Sequence, residues 1–132
     1  MSRGPAALRP LVMALHWGAA LLVVAWLAGR APGWLLAAHA LPWLALTAAF
    51  GLRGGPSPAL GGPLRRAAHL SHAALLVLYG AGALLAALGL PAARPVLTAT
   101  LVGAALHGLG NGYRASVLGD GAFRRMLPRA LW

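Results

Sequence analysis

The sequence contains no cysteine, no lysine and a single acidic residue, Asp120. Without cysteine there is no disulfide, no thiolate ligand, no iron–sulfur cluster and no Cys-x-x-Cys-His attachment for a covalent haem. With one carboxylate, paired acid/base residues, carboxylate metal sites and the buried acidic relays of proton-coupled transporters are missing as well. Hydrolase and ion-pump chemistry therefore lose their usual parts. Charged residues make up 9% of the chain against 60% hydrophobic residues, and the mean hydropathy is +0.75. A soluble domain of 132 residues needs a polar exterior that this composition does not provide.

The basic residues are all arginine and give a net charge of +10. They are spaced between apolar runs and are not gathered on one face with stacking aromatics, which argues against nucleic acid and for anionic lipid headgroups as counter-ions. Four apolar runs, about 11–29, 34–52, 67–90 and 95–113, each have the roughly 18 to 24 residues that a bilayer-spanning helix needs. The first follows Arg3 and Arg9 as a signal peptide would. It carries His16 and Trp17 early, however, and ends at Arg30 and Pro32 without a small-residue cleavage pattern, so it reads as a mature helix. The turns Gly29–Gly33 and Pro91–Arg94 are short enough to make helices 1 and 2, and helices 3 and 4, antiparallel neighbours. The expected fold is an all-α membrane protein, an up-down four-transmembrane-helix bundle forming one domain over 1–132. Nine arginines (Arg3, Arg9, Arg53, Arg65, Arg66, Arg114, Arg124, Arg125, Arg129) fall on one side and two (Arg30, Arg94) on the other. The positive-inside rule then puts both termini in the cytoplasm. The connection Arg53–Arg66, rich in Gly and Pro, reads as a loop, and residues 114–132 as a basic tail.

What the chain does have is five histidines, His16, His39, His69, His72 and His107, all within or at the mouths of these runs. An ionisable ring there is costly and usually functional. His16 lies five residues into the first run and His107 six residues before the fourth ends, so both sit roughly 8 to 9 Å deep from the same face. Two imidazoles level with each other on different helices are what a six-coordinate haem iron requires. A hydrogen bond to a neighbouring helix is the plainer reading of either alone. Gly18, Ala19 and Ala20 after His16, and Gly108, Gly110 and Gly112 after His107, would let a flat porphyrin approach the backbone, or simply serve helix packing. His72 is about five residues inside the third run, with His69 one turn earlier near the interface. Spacing admits either as a ligand; His69 reads as interfacial, and His72 as a structural hydrogen bond or as part of a haem or quinone site. His39 is five residues from the opposite face, with no histidine or methionine at its own depth. Among Trp17, Trp26, Trp34, Trp43 and Trp132, spacing does not separate interfacial anchors from core fillers.

Several of these pieces, in order, resemble the bacterial cytochrome b561 family of inner-membrane electron carriers. They are Leu15-His16-Trp17, His39 with Gly51-Leu52-Arg53, Leu64-Arg65-Arg66-Ala67-Ala68-His69-Leu70-Ser71-His72, Leu106-His107, and the tail Gly119-Asp120-Gly121-Ala122-Phe123-Arg124-Arg125-Met126-Leu127-Pro128. The Ala-His-Leu-x-His entry and the Asp-Gly-x-x-Arg-Arg-Met-Leu-Pro tail are the specific parts. The resemblance implies four helices and non-covalent haem b, passing electrons between a membrane quinone and a redox partner. It makes His16 and His107 the axial pair of the cytoplasmic-side haem and His39 one ligand of a second, periplasmic-side haem.

This sequence departs from the family where the second periplasmic ligand would stand. The connection from helix 3 to helix 4 has shrunk to Pro91–Pro95, and Leu90 to Val102 contains no His, Met, Cys, Lys or Tyr. The basic end of helix 4 reads Arg114-Ala115, where the family often has a histidine pair. The expectation is a shortened variant with one secure haem, acting as an electron-transfer cytochrome or oxidoreductase subunit, with the second haem lost or completed by a redox-partner subunit or a homodimer. A haem-free structural or assembly subunit of a membrane complex is the alternative. Metal transport lacks the mid-membrane carboxylates, cysteines or methionines it would need.

Overall fold

The computed structural model describes residues 8–51, 60–119, 121 and 127. Among them the chain is all helical: α1 (Arg9–Leu27), α2 (Gly33–Phe50), α3 (Gly62–Ala87) and α4 (Ala93–Tyr113), with α4 continued by a π-helical turn, Arg114–Leu118. The first half of the Arg53–Arg66 connection and most of the tail, together with Arg3, Arg53, Asp120, Arg124, Arg125, Arg129 and Trp132, lie outside the described residues. Three helices, α1 to α3, are long and apolar enough to cross a membrane. The fourth has 21 residues, but Arg94, Thr98, Thr100, His107 and Asn111 dilute its apolar character.

Both short turns are built the same way. At the end of α1 the Gly29 N–H bonds the Trp26 carbonyl at 2.9 Å and the Arg30 N–H reaches back to the Ala25 carbonyl at 2.7 Å. At the end of α3 the Gly89 N–H bonds the Ala86 carbonyl at 3.1 Å and the Leu90 N–H the Leu85 carbonyl at 2.9 Å. These are twin Schellman motifs, and each needs its glycine: φ is 71° at Gly29 and 69° at Gly89, where a Cβ would be strained. Hydropathy alone extends these helices to 29 and 90. They stop two or three residues sooner because apolar residues continue through the cap, where the backbone has already turned. For the same reason α2 ends at Phe50, before Gly51 at φ 71°.

The helix starts also differ from the expected bounds. Pro10, Pro63 and Pro95 fall within the first turns of α1, α3 and α4, where N–H groups have no intrahelical acceptor, so a proline costs nothing there. Accordingly α4 begins at Ala93 and α3 at Gly62, five residues before the expected Ala67. Leu64-Arg65-Arg66, expected in a loop, is the first turn of α3.

The helices close into a ring, α3 packing against α2 and α4, and α1 more lightly against α2 and α4. The core lies towards the Schellman end, around Val23, Leu36, Ala40, Ala83, Ala86, Ala93 and Leu97. Small residues draw the backbones together there. A Cβ at Gly33 would overlap the Ala86 carbonyl, and one at Gly82 would run into the Leu97 side chain. Arg94 donates across this end to the Leu27 carbonyl at 3.4 Å, meeting an acceptor that the end of α1 leaves open. At the other end Arg9 donates to the Leu127 carbonyl at 3.5 Å. Outward, the surface is apolar: Leu21, Leu41, Val77 and Leu109 are each at least 67% exposed. That is a liability in water and the natural exterior in hydrocarbon.

Candidate functional site

Away from the Schellman end the ring opens into a cavity of ≈ 140 Å³ between α1, α2, α3 and α4, with almost entirely apolar walls. Well-packed interiors hold few voids larger than a water molecule, so a space of this size at a bundle axis marks a place for something else. The polar groups facing it are mostly rings: His16 from α1, Trp43 from α2, His72 and Tyr79 from α3, and His107 from α4. Ala19, Ala20 and Ala104 keep the walls low.

Each histidine has a different bonding state. His16 makes no hydrogen bond among the described residues, and its ring meets only the edge of its neighbour Trp17, at 6.0 Å between centroids. Its place is held from outside: the Trp43 indole N–H on α2 donates to the Leu15 carbonyl at 3.1 Å, pinning α1 beside the histidine. The His72 Nδ1–H donates to the Ala68 carbonyl one turn back at 2.8 Å. His107 Nε2 lies 2.8 Å from the Asn111 amide nitrogen, and Asn111 Oδ1 accepts from the Arg114 guanidinium at 3.2 Å. Since arginine only donates, it fixes which way the amide points: oxygen to Arg114, NH₂ to the imidazole. His72 and His107 touch edge to face, 4.4 Å between centroids at 80°.

The expected pair, His16 and His107, does line one cavity, and His72 joins them. His39 does not. It lies in the packed half, where Nδ1 shares a 2.8 Å hydrogen bond with the Tyr79 hydroxyl and Nε2 abuts Gly18, whose added Cβ would stand 2.7 Å away. Gly18 thus makes room for His39. Gly108, Gly110 and Gly112 are not among the cavity-lining residues, and a Cβ on any of them would meet nothing within 4 Å. His69 is exposed. The four described tryptophans divide cleanly: Trp26 and Trp43 pack against the core, while Trp17 and Trp34 face outward at 46% and 64% exposure.

Three residues central to this geometry went unread in the sequence. Asn111 had a signal, one helical turn after His107. Tyr79, two turns after His72, lies on the same face of α3 and forms the cavity floor. Trp43 had one too, a helical turn after His39 and a turn before Thr47.

No family model, curated protein or solved structure matches the chain. Nor, among the described residues, is there a group of three or more His, Cys, Asp or Glu placed to hold a metal ion. Three imidazoles line the space without converging on one point. An iron already held by four equatorial nitrogens of a porphyrin asks the protein for one or two axial ligands only.

Proposed function

We propose that this chain is a four-span, up-down membrane cytochrome of the b type, both termini on the cytoplasmic side of a bacterial inner membrane. It carries electrons between a quinone and a redox partner. The observation that carries the reading is His16: an imidazole lining an apolar cavity with neither nitrogen hydrogen-bonded among the described residues, facing two further imidazoles. Membrane interiors rarely keep such a group without a ligand for it.

The donor set fits haem b. Histidine would take both axial positions, since the cavity is lined by three histidines and by no cysteine or methionine. His16 supplies one side. His72 and His107 touch each other, so no flat ring passes between them, and only one of the two serves the other side. When bound, the haem supplies a one-electron couple. The chain's part is to hold the iron, keep water out with Ala19, Ala20, Leu75, Leu76 and Leu101, and keep α1 in place through Trp43. A porphyrin would need more room than the cavity offers, and α1, the most lightly packed helix, is the wall with the least packing to lose. His39, bonded to Tyr79, supports one haem per chain and no path across the whole membrane. The arginines and the outward apolar surface suit a lipid bilayer and an interface with a partner subunit or a second copy.

The test is a reduced-minus-oxidised absorbance spectrum and a pyridine haemochrome assay on detergent-purified protein, beside His16→Ala. A b-type spectrum at one haem per chain, lost in the variant, is expected. A well-folded preparation that takes up no haem would overturn the reading and leave a haem-free structural or assembly subunit.

A further inference from the structure

We infer that the second axial imidazole is His72, and that Asn111, anchored by Arg114, is a positioning residue that holds His107 back from the iron. This rests on the haem reading above but departs from the pairing that the family resemblance implies, which joins His16 to His107.

Three observations carry it. The first is exclusion: His72 and His107 are in ring contact, so they are alternatives for one coordination position and not a pair. The second is the protonation state of each ring. An imidazole binds iron through a lone pair, and which nitrogen carries it is set by the hydrogen bond the other nitrogen makes. His72 gives its Nδ1 proton to the Ala68 carbonyl, which leaves the Nε2 lone pair, and no described residue hydrogen-bonds to that atom. The ring is oriented and its ligating nitrogen is ready. His107 is set the opposite way. Asn111 donates to its Nε2, so the lone pair on the long end of the ring is already engaged and the proton sits on Nδ1. For His107 to bind through Nε2 it must first break that bond.

The third is the anchoring of that bond. A free asparagine amide could turn its oxygen to the imidazole and release Nε2 as a donor. Here Oδ1 is held by the Arg114 guanidinium, so the NH₂ stays aimed at the ring. The chain Arg114 to Asn111 to His107 runs along one face of α4 and its π-helical continuation, at spacings of three and four. The Ala68 carbonyl serves His72 in the same way on α3, but on the nitrogen that the iron does not use.

The experiment compares ferric spin state by absorbance and electron paramagnetic resonance in the haem-loaded full chain and its variants. Wild type is expected to be low-spin with two histidines. His72→Ala is expected to turn mostly high-spin and to return to low-spin on adding free imidazole, which also shows that the variant is folded. His107→Ala is expected to stay low-spin. To guard against an unstable alanine variant, His72→Met keeps the side-chain bulk and is expected to raise the midpoint potential, as methionine ligation does, while His107→Met leaves it unchanged. In the His72→Ala background, Asn111→Ala is expected to restore a low-spin spectrum by freeing His107. The inference is overturned if His107→Ala turns high-spin while His72→Ala does not, or if both single variants remain low-spin. A wild-type protein that binds no haem fails at the earlier step, and the two failures are distinguishable from the first spectrum.

Discussion

The two halves of this bundle are made of the same four helices and pack in opposite ways. Towards the twin Schellman turns, glycine and alanine bring backbones almost into contact, Gly33 against the Ala86 carbonyl and Gly82 under Leu97, and Leu36, Ala83, Ala93 and Leu97 are fully buried. Towards the other end the helices part around His16, Trp43, His72 and His107, and a cavity remains. Helices in hydrocarbon gain little from hiding apolar surface, since lipid is as apolar as leucine; they associate by close packing. The small-residue end therefore holds the bundle together, which leaves the aromatic and histidine end free to stay open. The packed core and the cavity are separated along the bundle axis.

Adding bulk should then have opposite consequences at the two ends. Gly33→Ala places a methyl group against backbone that cannot yield, and is expected to cost about 3 kcal/mol, the upper range for overpacking, read by unfolding in mixed detergent micelles. Ala104→Phe puts a ring into the cavity. It is expected to weaken haem affinity roughly tenfold or more in a titration of the apoprotein, the effect of losing about 1.4 kcal/mol of binding. Without haem it should leave the protein as stable or about 0.5–1 kcal/mol more so, as cavity filling commonly does. Equal destabilisation by both changes would show that the cavity end is packed like the other and would remove the separation.

Depth along a helix is more legible in a sequence than the point where the helix ends. Position along a helix follows from counting, so His16 and His107 could be matched across unrelated runs, and His39 set apart from them. Rotation about a helix axis follows from amphipathicity, and α2 has little of it: its other faces are all apolar, and only His39, Trp43 and Thr47, four residues apart, mark one stripe. That stripe sets Trp43 on the same side as His39, but nothing in the spacing says that this side meets α1. Nor was the exposure of Gly110, or the open space beside Gly108 and Gly112, legible, because small residues serve lipid-facing and buried surfaces alike. The hydrogen bonds that tell His72 from His107 lie one turn away from each ring, at Ala68 and Asn111. The asparagine could have been noticed; a backbone carbonyl carries no sequence signal.

Tyr79 belongs to both halves, being part of the packed core and the floor of the cavity. Its hydroxyl points to His39 and not to the cavity imidazoles, so Tyr79→Phe tests which half it serves. The variant leaves a half-buried imidazole nitrogen without its partner and is expected to cost about 1 kcal/mol with haem content unchanged. Combining it with His39→Phe should recover most of that loss, since removing both partners of a buried hydrogen bond costs far less than removing one. A fall in haem content with Tyr79→Phe would instead tie His39 to the binding site.

The smallest effect is expected at Gly110, on the outward face of α4 three residues beyond His107 and beside the Asn111 that holds it. A Cβ there meets nothing within 4 Å, so Gly110→Ala should only remove the conformational freedom of a helical glycine, a gain of about 0.5 kcal/mol, and leave the haem spectrum as it is. The value of so slight a change lies in its sign. If a flat ring lay against the glycine face of α4, the added methyl group would displace it and haem would be lost with no cost to the apoprotein. Retention of haem at unchanged spin state would support the proposed site on the other face of α4, with Thr100, Ala104 and His107, which the cavity shares with α1 and α3.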